Sequence, residues 1–395
     1  MRRPGVRRFL RYAARYTGWK RYLSFPGDGR VRARIGAAIL AQALLVGRLL
    51  REASFLAIEA LVRSATRRGM GISRPFGDDT LGYFTERLDP DRLREAAAAI
   101  VRQAKRNKAF EGSRWIGLAL DGTGAGTSRE KKCEWCRPMR NQKKEIVAYG
   151  HKLVMISIVG TGLSLPFDVE PYGPNDSEYS AGQRLLRRGV AALGVRFADY
   201  VVVDGEFATA PFLHAAGDLG LKTVARLKGN LPELYEAARR RFAAGTAHQT
   251  FQDGSDRVEI WDADDFDPWQ TLHWQTVRVV RYCQHKPDGR TVEAYWLTDF
   301  SSKQAGSKAI YRMAKSRWEI ENEGFNDAKN RYGFGHICHH HANSLLINWL
   351  VIALTMTLER LYRIRYLHRG KHAVMQPVAL YRLLRSSLSI PPDSS

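Results

Sequence analysis

The sequence predicts an α/β fold: a mixed sheet preceded by a basic helical region and interrupted by a mostly β insertion. Three observations predict it. Apolar residues recur at helical spacing through the first hundred residues, and the pattern changes to strand-like runs from Ser113. A helical pattern then returns around Arg317, after a second set of strand-like runs.

The helical front rests on Ile35, Ile39, Val46 and Leu50, then on Phe55, Ile58, Leu61 and Val62, with Asp78-Asp79-Thr80 offering a cap before a further helix. Arg48, Arg51, Arg63, Arg67 and Arg68 make it strongly basic, a natural place for reading DNA ends, although a charge run is also what an ordinary solvated face looks like. Trp115 to Asp121 reads as a first strand, His151 to Val159 as a second and Leu163 to Pro171 as a third, with Gly160 and Gly162 turning between the last two. A helix over Glu178 to Leu193 follows, then a strand over Tyr200 to Asp204, a helix over Ala210 to Asp218 and a strand over Lys222 to Leu227. Three hairpin-like strands and then alternating helices and strands is the order of a ribonuclease H-like core. In that order the first and fourth strands are neighbours, which sets Asp121 beside Asp204.

Between Gly229 and Ser301 the alternation breaks. A charged helix (Leu231 to Ala243) precedes the runs Val258 to Trp261, Val277 to Tyr282 and Thr291 to Leu297, the last two flanking the turn signal Lys286-Pro287-Asp288-Gly289. Trp261, Trp269, Trp274 and Trp296 lie here; core packing and base stacking both account for such residues. A helix is expected from after Ser301-Ser302 to about Lys329. The expected organisation is therefore 1–110 basic and helical, 111–229 the first part of the core, 230–303 the β insertion, and 304–395 the returning helix with C-terminal helices. Leu345 to Leu358 is apolar but shorter than the roughly 20 residues that span a bilayer, so it reads as a buried helix. Ile390 to Ser395 reads as a frayed end.

Composition limits the function classes. With 62 Lys plus Arg against 40 Asp plus Glu, the 395-residue chain carries a formal charge of +22 and a pI near 10.0, which suits a polyanionic partner. Its 44% hydrophobic content supports a sizeable core, so it is not a disordered basic tail. The N-terminal arginines (Arg2, Arg3, Arg7, Arg8, Arg11, Arg15) lead into no secretory apolar stretch, and Arg48, Arg51, Glu52 and Glu59 interrupt the apolar run from Ile35 to Val62. Four cysteines make no disulfide framework, so a reducing cytoplasm, near the nucleoid for a DNA-binding chain, is the expected location.

The chemistry is carried by acidic residues. Asp121 and Asp204 each end an apolar strand, and Glu321 lies in the later helical stretch Arg317-Trp318-Glu319-Ile320-Glu321. An Asp after a strand is by itself more often a turn or cap residue. Two such residues and a third carboxylate in this order can instead converge on a pair of divalent cations that activate water and stabilise a departing 3′ oxygen. Hard oxygen ligands call for Mg²⁺, with Mn²⁺ as a substitute. Glu323 competes with Glu321 for the third place, and Glu319 is a weaker rival.

Taken together, Leu120-Asp121-Gly122-Thr123, Val203-Asp204-Gly205-Glu206-Phe207 and the block from Arg317 to Asn326 with Lys329-Asn330 resemble the DDE transposases of bacterial insertion sequences, of the type with a β insertion and a Y-R-E-K signature. The resemblance runs from about Ser54 to the apolar helix after Ser344. It implies that Asp121, Asp204 and Glu321 are catalytic and that Arg317 contacts a DNA phosphate or orients the glutamate. It also implies phosphate-binding roles for Lys329 and Tyr311, although Lys329 follows Glu321 one position late and Tyr311 lies farther upstream of Arg317 than the pattern requires. The implied function is binding of insertion-sequence ends, their metal-dependent hydrolysis and joining of the 3′-OH ends to target DNA by a homodimer on paired inverted repeats. Two rivals stand beside it: a noncatalytic DNA-binding repressor derived from such an enzyme, and a structure-selective nuclease of the same fold.

A second metal is suggested elsewhere. Cys133-x-x-Cys136 has ligand spacing, His151 lies shortly downstream, and the run His336-Ile337-Cys338-His339-His340-His341 follows the returning helix, so a structural Zn²⁺ and a set of free thiols with solvent-facing imidazoles both fit.

Overall fold

A computed structural model describes residues 5–18, 27–368 and 374–389. Arg2, Arg3 and the segment 390–395 lie outside the described residues.

The front of the chain is helical, as expected: α1 (Val6–Thr17), α2 (Ala37–Leu49), α3 (Phe55–Arg63), α4 (Asp78–Arg87) and α5 (Pro90–Arg106). Local chemistry sets their starts. The Ser54 side chain accepts from the Ala57 N–H, and Asp89 caps α5 with Pro90 in its first turn, where a missing N–H costs nothing. These helices share one core with α11 (Ala342–Arg360), whose apolar window is buried throughout. With the π-helical turn that follows it, Leu361–Leu367, this helix runs from Ala342 to Leu367, long enough to cross a membrane and longer than the sequence suggests. One expected surface charge is misplaced: Arg48 is fully buried, its guanidinium donating to Asn348 Oδ1 (2.5 Å), Cys338 Sγ (2.8 Å) and the Glu52 carbonyl (2.5 Å). It is a core strut and not part of a DNA-reading face.

Among the described residues ten strands form one sheet. The core strands are β1 (Gly117–Ser128), β3 (Ile146–Val159), β4 (Leu165–Tyr172), β5 (Tyr200–Val203) and β6 (Lys222–Leu227), in spatial order β4-β3-β1-β5-β6, while the short β2 (Arg137–Arg140) also pairs with β3. This is the ribonuclease H-like arrangement, with β1 and β5 parallel neighbours in the register Gly117↔Tyr200, Leu118↔Val201 and Ala119↔Val202. Helices α6 (Glu178–Leu193) and α7 (Ala210–Asp218) fall where the pattern places them. Strands β7 (Gln249–Asp253), β8 (Asp256–Phe266), β9 (Val277–His285) and β10 (Thr291–Thr298), which follow α8 (Pro232–Ala243), do not stand apart. They continue the same sheet, because β10 pairs antiparallel with β6 from Thr298↔Val224 to Tyr295↔Leu227.

Alternation along β3 shows how the sheet is covered. A Cβ at Gly189 on α6 would touch Ile156, whereas one at Gly324, on the returning helix, would approach the sulfur of Met155. Successive residues face opposite sides of a sheet. Leu120 pairs with Ile156 and Asp121 with Met155, so Leu120 joins the α6 side and Asp121 faces the returning helix.

That helix has three parts: α9 (Ser307–Glu319), a π-helical turn (Ile320–Phe325) and α10 (Asn326–Arg331). Helix α9 packs on β1, β5 and β6, and the Tyr200 hydroxyl meets Ser316 Oγ at 2.9 Å. Helix α12 (Pro377–Ser386) closes the described chain.

Candidate active site

Three remote segments converge where β1 runs on past the end of β5. Asp121 sits within β1, where its Oδ1 accepts the Gly122 N–H (2.9 Å) and its Oδ2 accepts from Arg317 Nη1 (2.9 Å). The other arm of the same guanidinium reaches Glu321 Oε1 at 2.7 Å. Arg317 is 7% exposed, so this bridge between β1 and the returning helix lies in a largely dry place. Asp204 follows β5, one step beyond the paired residues, and caps the short turn Gly205–Phe207 by accepting the Gly205 N–H at 2.6 Å. Lys228, just past β6, pairs with it at 2.8 Å.

Electrostatics separate the two aspartates. Burial pushes the Asp121 carboxyl up to about 7 against the pull of the Arg317 charge, and the neighbouring Glu321 and Glu178 carboxylates add to the rise. At Asp204 burial acts in the same direction, but the Lys228 hydrogen bond, the Gly205 N–H and the Lys228 charge outweigh it and hold the carboxyl below the ordinary range. Near neutral pH the Asp204 carboxyl is ionised and the Asp121 carboxyl is part-protonated.

The rivals of Glu321 point elsewhere. Glu319 turns to the opposite end of the sheet, where it accepts the Gly160 N–H at 3.2 Å and burial pushes its carboxyl up to about 7. Glu323 is exposed and its charge is felt by Glu319. Only Glu321 shares a partner with Asp121.

The π-helical turn explains the late lysine. Asn326 N–H bonds to the Glu321 carbonyl five residues back, so the turn holds one more residue than an α-helical turn would. An eight-residue interval through such a turn brings Lys329 to the angular position that seven residues reach in an uninterrupted helix. Its Nζ donates to Thr123 Oγ1 at 2.6 Å, two residues beyond Asp121. Tyr311 does not join this group. It is buried, with its hydroxyl on Asp253 Oδ2 (2.6 Å), a residue Lys315 also reaches at 2.8 Å, so it fastens α9 to the insertion. Trp296 is buried and the other insertion tryptophans are half-buried, whereas Trp318, beside Arg317, is 44% exposed.

The sequence reading overlooked Glu178. Its carboxylate lies against Gly122: a Cβ built there would fall 2.1 Å from Glu178 Cδ. Burial raises the Glu178 carboxyl against the Tyr172 hydroxyl that donates to it (3.0 Å), with Glu206 and Asp204 adding to the rise. An acidic residue opening a helix reads as a favourable dipole partner, and only the fold shows it meeting β1. Gly122→Ala is accordingly expected to destabilise the protein by about 1 kcal/mol, the cost of turning the Glu178 carboxylate away from the Tyr172 hydroxyl. Glu178→Ala in the same chain is expected to remove most of that cost, and additive losses in a denaturation double-mutant cycle would refute the contact.

The Cys–His candidates also converge. Cys133 and Cys136, in the β1–β2 connection, approach His151 Nε2 of β3 at 3.2 and 3.5 Å, and His340 joins them 3.2 Å from Cys136 Sγ. This set is compatible with zinc.

Residues 115–358 match the family model of the transposase DDE domain. The chain belongs to the DDE transposases. No curated protein sequence matches this transposase. Among solved structures it is similar to the piggyBac transposase in a cryo-EM synaptic complex with hairpin DNA, at 12% identity and a TM-score of 0.49, over 96% of this chain and 81% of that one. The stretch matched by the family model includes Asp121, Asp204, Glu321 and the whole β insertion of the transposase.

Proposed function

We propose that this transposase cuts DNA at the ends of a mobile element and joins the released 3′-OH ends to target DNA, acting as a dimer on paired terminal inverted repeats. The observation that carries the reading is the Arg317 guanidinium held between Asp121 and Glu321, with Asp204 on the adjoining strand. Side-chain cations here balance carboxylates drawn from three distant parts of the chain.

The donor set suits Mg²⁺ or Mn²⁺: carboxylate oxygens from Asp121, Asp204 and Glu321, with no soft ligand among them. When bound, the ions would supply activation of the attacking hydroxyl and charge neutralisation at the leaving 3′ oxygen. The chain's own residues do the remainder. Asp204, held ionised by Lys228, offers a fixed negative charge, while Asp121, its carboxyl raised by burial, holds a proton near neutral pH that it would release on serving as a ligand. Arg317, held between Asp121 and Glu321, is placed to take the scissile phosphate, and Lys329 at Thr123 and Lys228 at Asp204 flank the same place. Because the attacked phosphate and the attacking hydroxyl meet in one pocket, hydrolysis at an element end and strand transfer into target DNA can reuse the same in-line geometry. Tyr311 is left out of the DNA-contacting set, since its hydroxyl is committed to Asp253.

The test is incubation with a labelled duplex carrying an element end, with and without Mg²⁺. Cleavage followed by joining supports the proposal. A shifted band without cleavage points to a repressor, and cutting of branched DNA irrespective of terminal repeats points to a nuclease. The ions' presence is also legible in stability. Burial raises the Asp121 carboxyl from 3.8 to about 7, so the stability its protonated form contributes to the metal-free protein is lost as pH rises from about 4 to about 7 and is gone above that. A divalent cation offsets that loss. The Mg²⁺-induced rise in Tm is therefore expected to grow between about pH 6 and pH 8 and to lose that growth in Asp121→Asn. A Mg²⁺ effect in the parent protein that is flat with pH would count against the site.

A further inference from the structure

We propose that Cys133, Cys136, His151 and His340 hold one structural Zn²⁺ that staples the connection after β1 to the segment following the glutamate-bearing helix. The four ligand atoms lie within 4.8 Å of one another. The closest approaches are 3.5 Å between the two sulfurs, 3.2 and 3.5 Å from the sulfurs to His151 Nε2, and 3.2 Å from Cys136 Sγ to His340 Nε2. A tetrahedral ion with usual Zn–S and Zn–N lengths has ligand–ligand edges of roughly 3.3–3.8 Å. Four of the six edges are therefore already close to those of a zinc tetrad and the other two lie within 4.8 Å, while the sulfurs are too far apart for the roughly 2 Å of a disulfide.

Selectivity within the histidine run is the second argument. Cys338 is turned away, accepting from Arg48 and lying 3.1 Å from the Ala53 carbonyl, and His339 pairs with Glu86 at 2.8 Å. His340 alone of the run 336–341 enters the cluster. Cys136 and His151 are buried, and Trp349 lies beside His151 with ring centroids 6.2 Å apart, while Trp135 packs on the same tryptophan at 6.1 Å. Apolar walls of this kind exclude water and strengthen ligand–metal bonds. The backbone is equally tight nearby, since a Cβ at Gly126 would fall 2.5 Å from the Gly335 carbonyl. This contact joins the same two segments: Cys133 and Cys136 follow the β1 residues Asp121 and Thr123, and His340 follows α10, which carries Lys329. Zinc would thus fix the partners of the Lys329–Thr123 contact from both ends.

The test is the metal content of the full chain purified from zinc-supplemented medium, measured by plasma mass spectrometry, with Co²⁺ substitution read in the visible spectrum. One zinc per chain and the intense bands of a tetrahedral cobalt–thiolate site are expected. His340→Ala, at the half-exposed corner, is expected to fold but to fall to about a tenth of a zinc per chain after dialysis against a chelator, with Tm lowered on the order of 10 °C. His339→Ala, one residue away, is expected to keep its zinc. Absence of zinc and of the cobalt spectrum after reconstitution would overturn the proposal, as would equal retention in His340→Ala and Cys133→Ser. Metal content is independent of DNA cleavage, so the transposition reading and the zinc site fail or survive separately.

Discussion

Asp121→Asn, Asp204→Asn and Glu321→Gln are each expected to lower Mg²⁺-dependent cleavage of an end-bearing duplex on the order of 10³-fold, the effect of losing about 4 kcal/mol of transition-state stabilisation. Each change keeps the size of the side chain and removes the charge that attracts the ion. Binding to the same duplex in a gel-shift is expected to change little, because affinity for DNA rests on the surplus of Lys and Arg. Glu323→Gln is the internal control. Its carboxylate is exposed and shares no partner with Asp121, so its activity is expected to stay within about tenfold of the parent protein. Full cleavage by the Glu321→Gln protein together with loss in the Glu323→Gln protein would exchange their roles. Retained cleavage in either aspartate variant would remove the mechanism.

Much of the frame behind this prediction is legible in the sequence because apolar burial writes a period. Helices Glu178–Leu193 and Ala210–Asp218 and strand Lys222–Leu227 begin and end where the pattern places them. Strand β1 runs past its expected end at Asp121 to Ser128, because Gly122, Thr123 and Gly124, which carry no apolar strand signal, are held extended by pairing with Val154, Leu153 and Lys152. Long-range pairing overrides weak local propensity here. Strands β2 and β7 are polar and sit at sheet margins, so they carry no apolar alternation to read. The site shows the same division. Asp121 and Asp204 can be paired from strand order alone, but the partnership of Arg317 with both Asp121 and Glu321 depends on helix rotation against the sheet. The extra residue of the π-helical turn leaves no trace in composition, which is why Lys329 reads as displaced. His340 could not be picked from a run of histidines by spacing, and Arg48 reads as surface charge because nothing local announces the acceptors that bury it.

The π-helical turn itself needs an anchor, and Arg360 supplies it. This arginine is 4% exposed near the end of α11 and donates to the Ser164 carbonyl before β4, to the Glu323 carbonyl inside the turn and to Asp327 Oδ2 at 3.3 Å. A widened turn presents a carbonyl that the regular helical ladder would otherwise satisfy, and a guanidinium with several fixed donors can satisfy it while bridging to the hairpin. Arg360→Met keeps the apolar stem and removes all these donors, so a loss of about 2–4 kcal/mol in chemical denaturation is expected from the two carbonyls left without a partner. Asp327 retains Arg331 at 3.4 Å, which keeps the cost from being that of an orphaned carboxylate. Activity is expected to fall further than stability alone explains. Measured well below the variant's Tm, cleavage should drop about 10²-fold, because a shift near 1 Å in the turn moves Glu321 and Lys329 together relative to β1. Arg360→Lys, which restores one donor and the charge, is expected to recover part of the stability and less of the rate. A variant with unchanged stability would show that the turn holds its shape without Arg360. Full activity in a destabilised variant would show that the anchor serves the fold and leaves the positions of Glu321 and Lys329 to the contacts of Arg317 and Thr123.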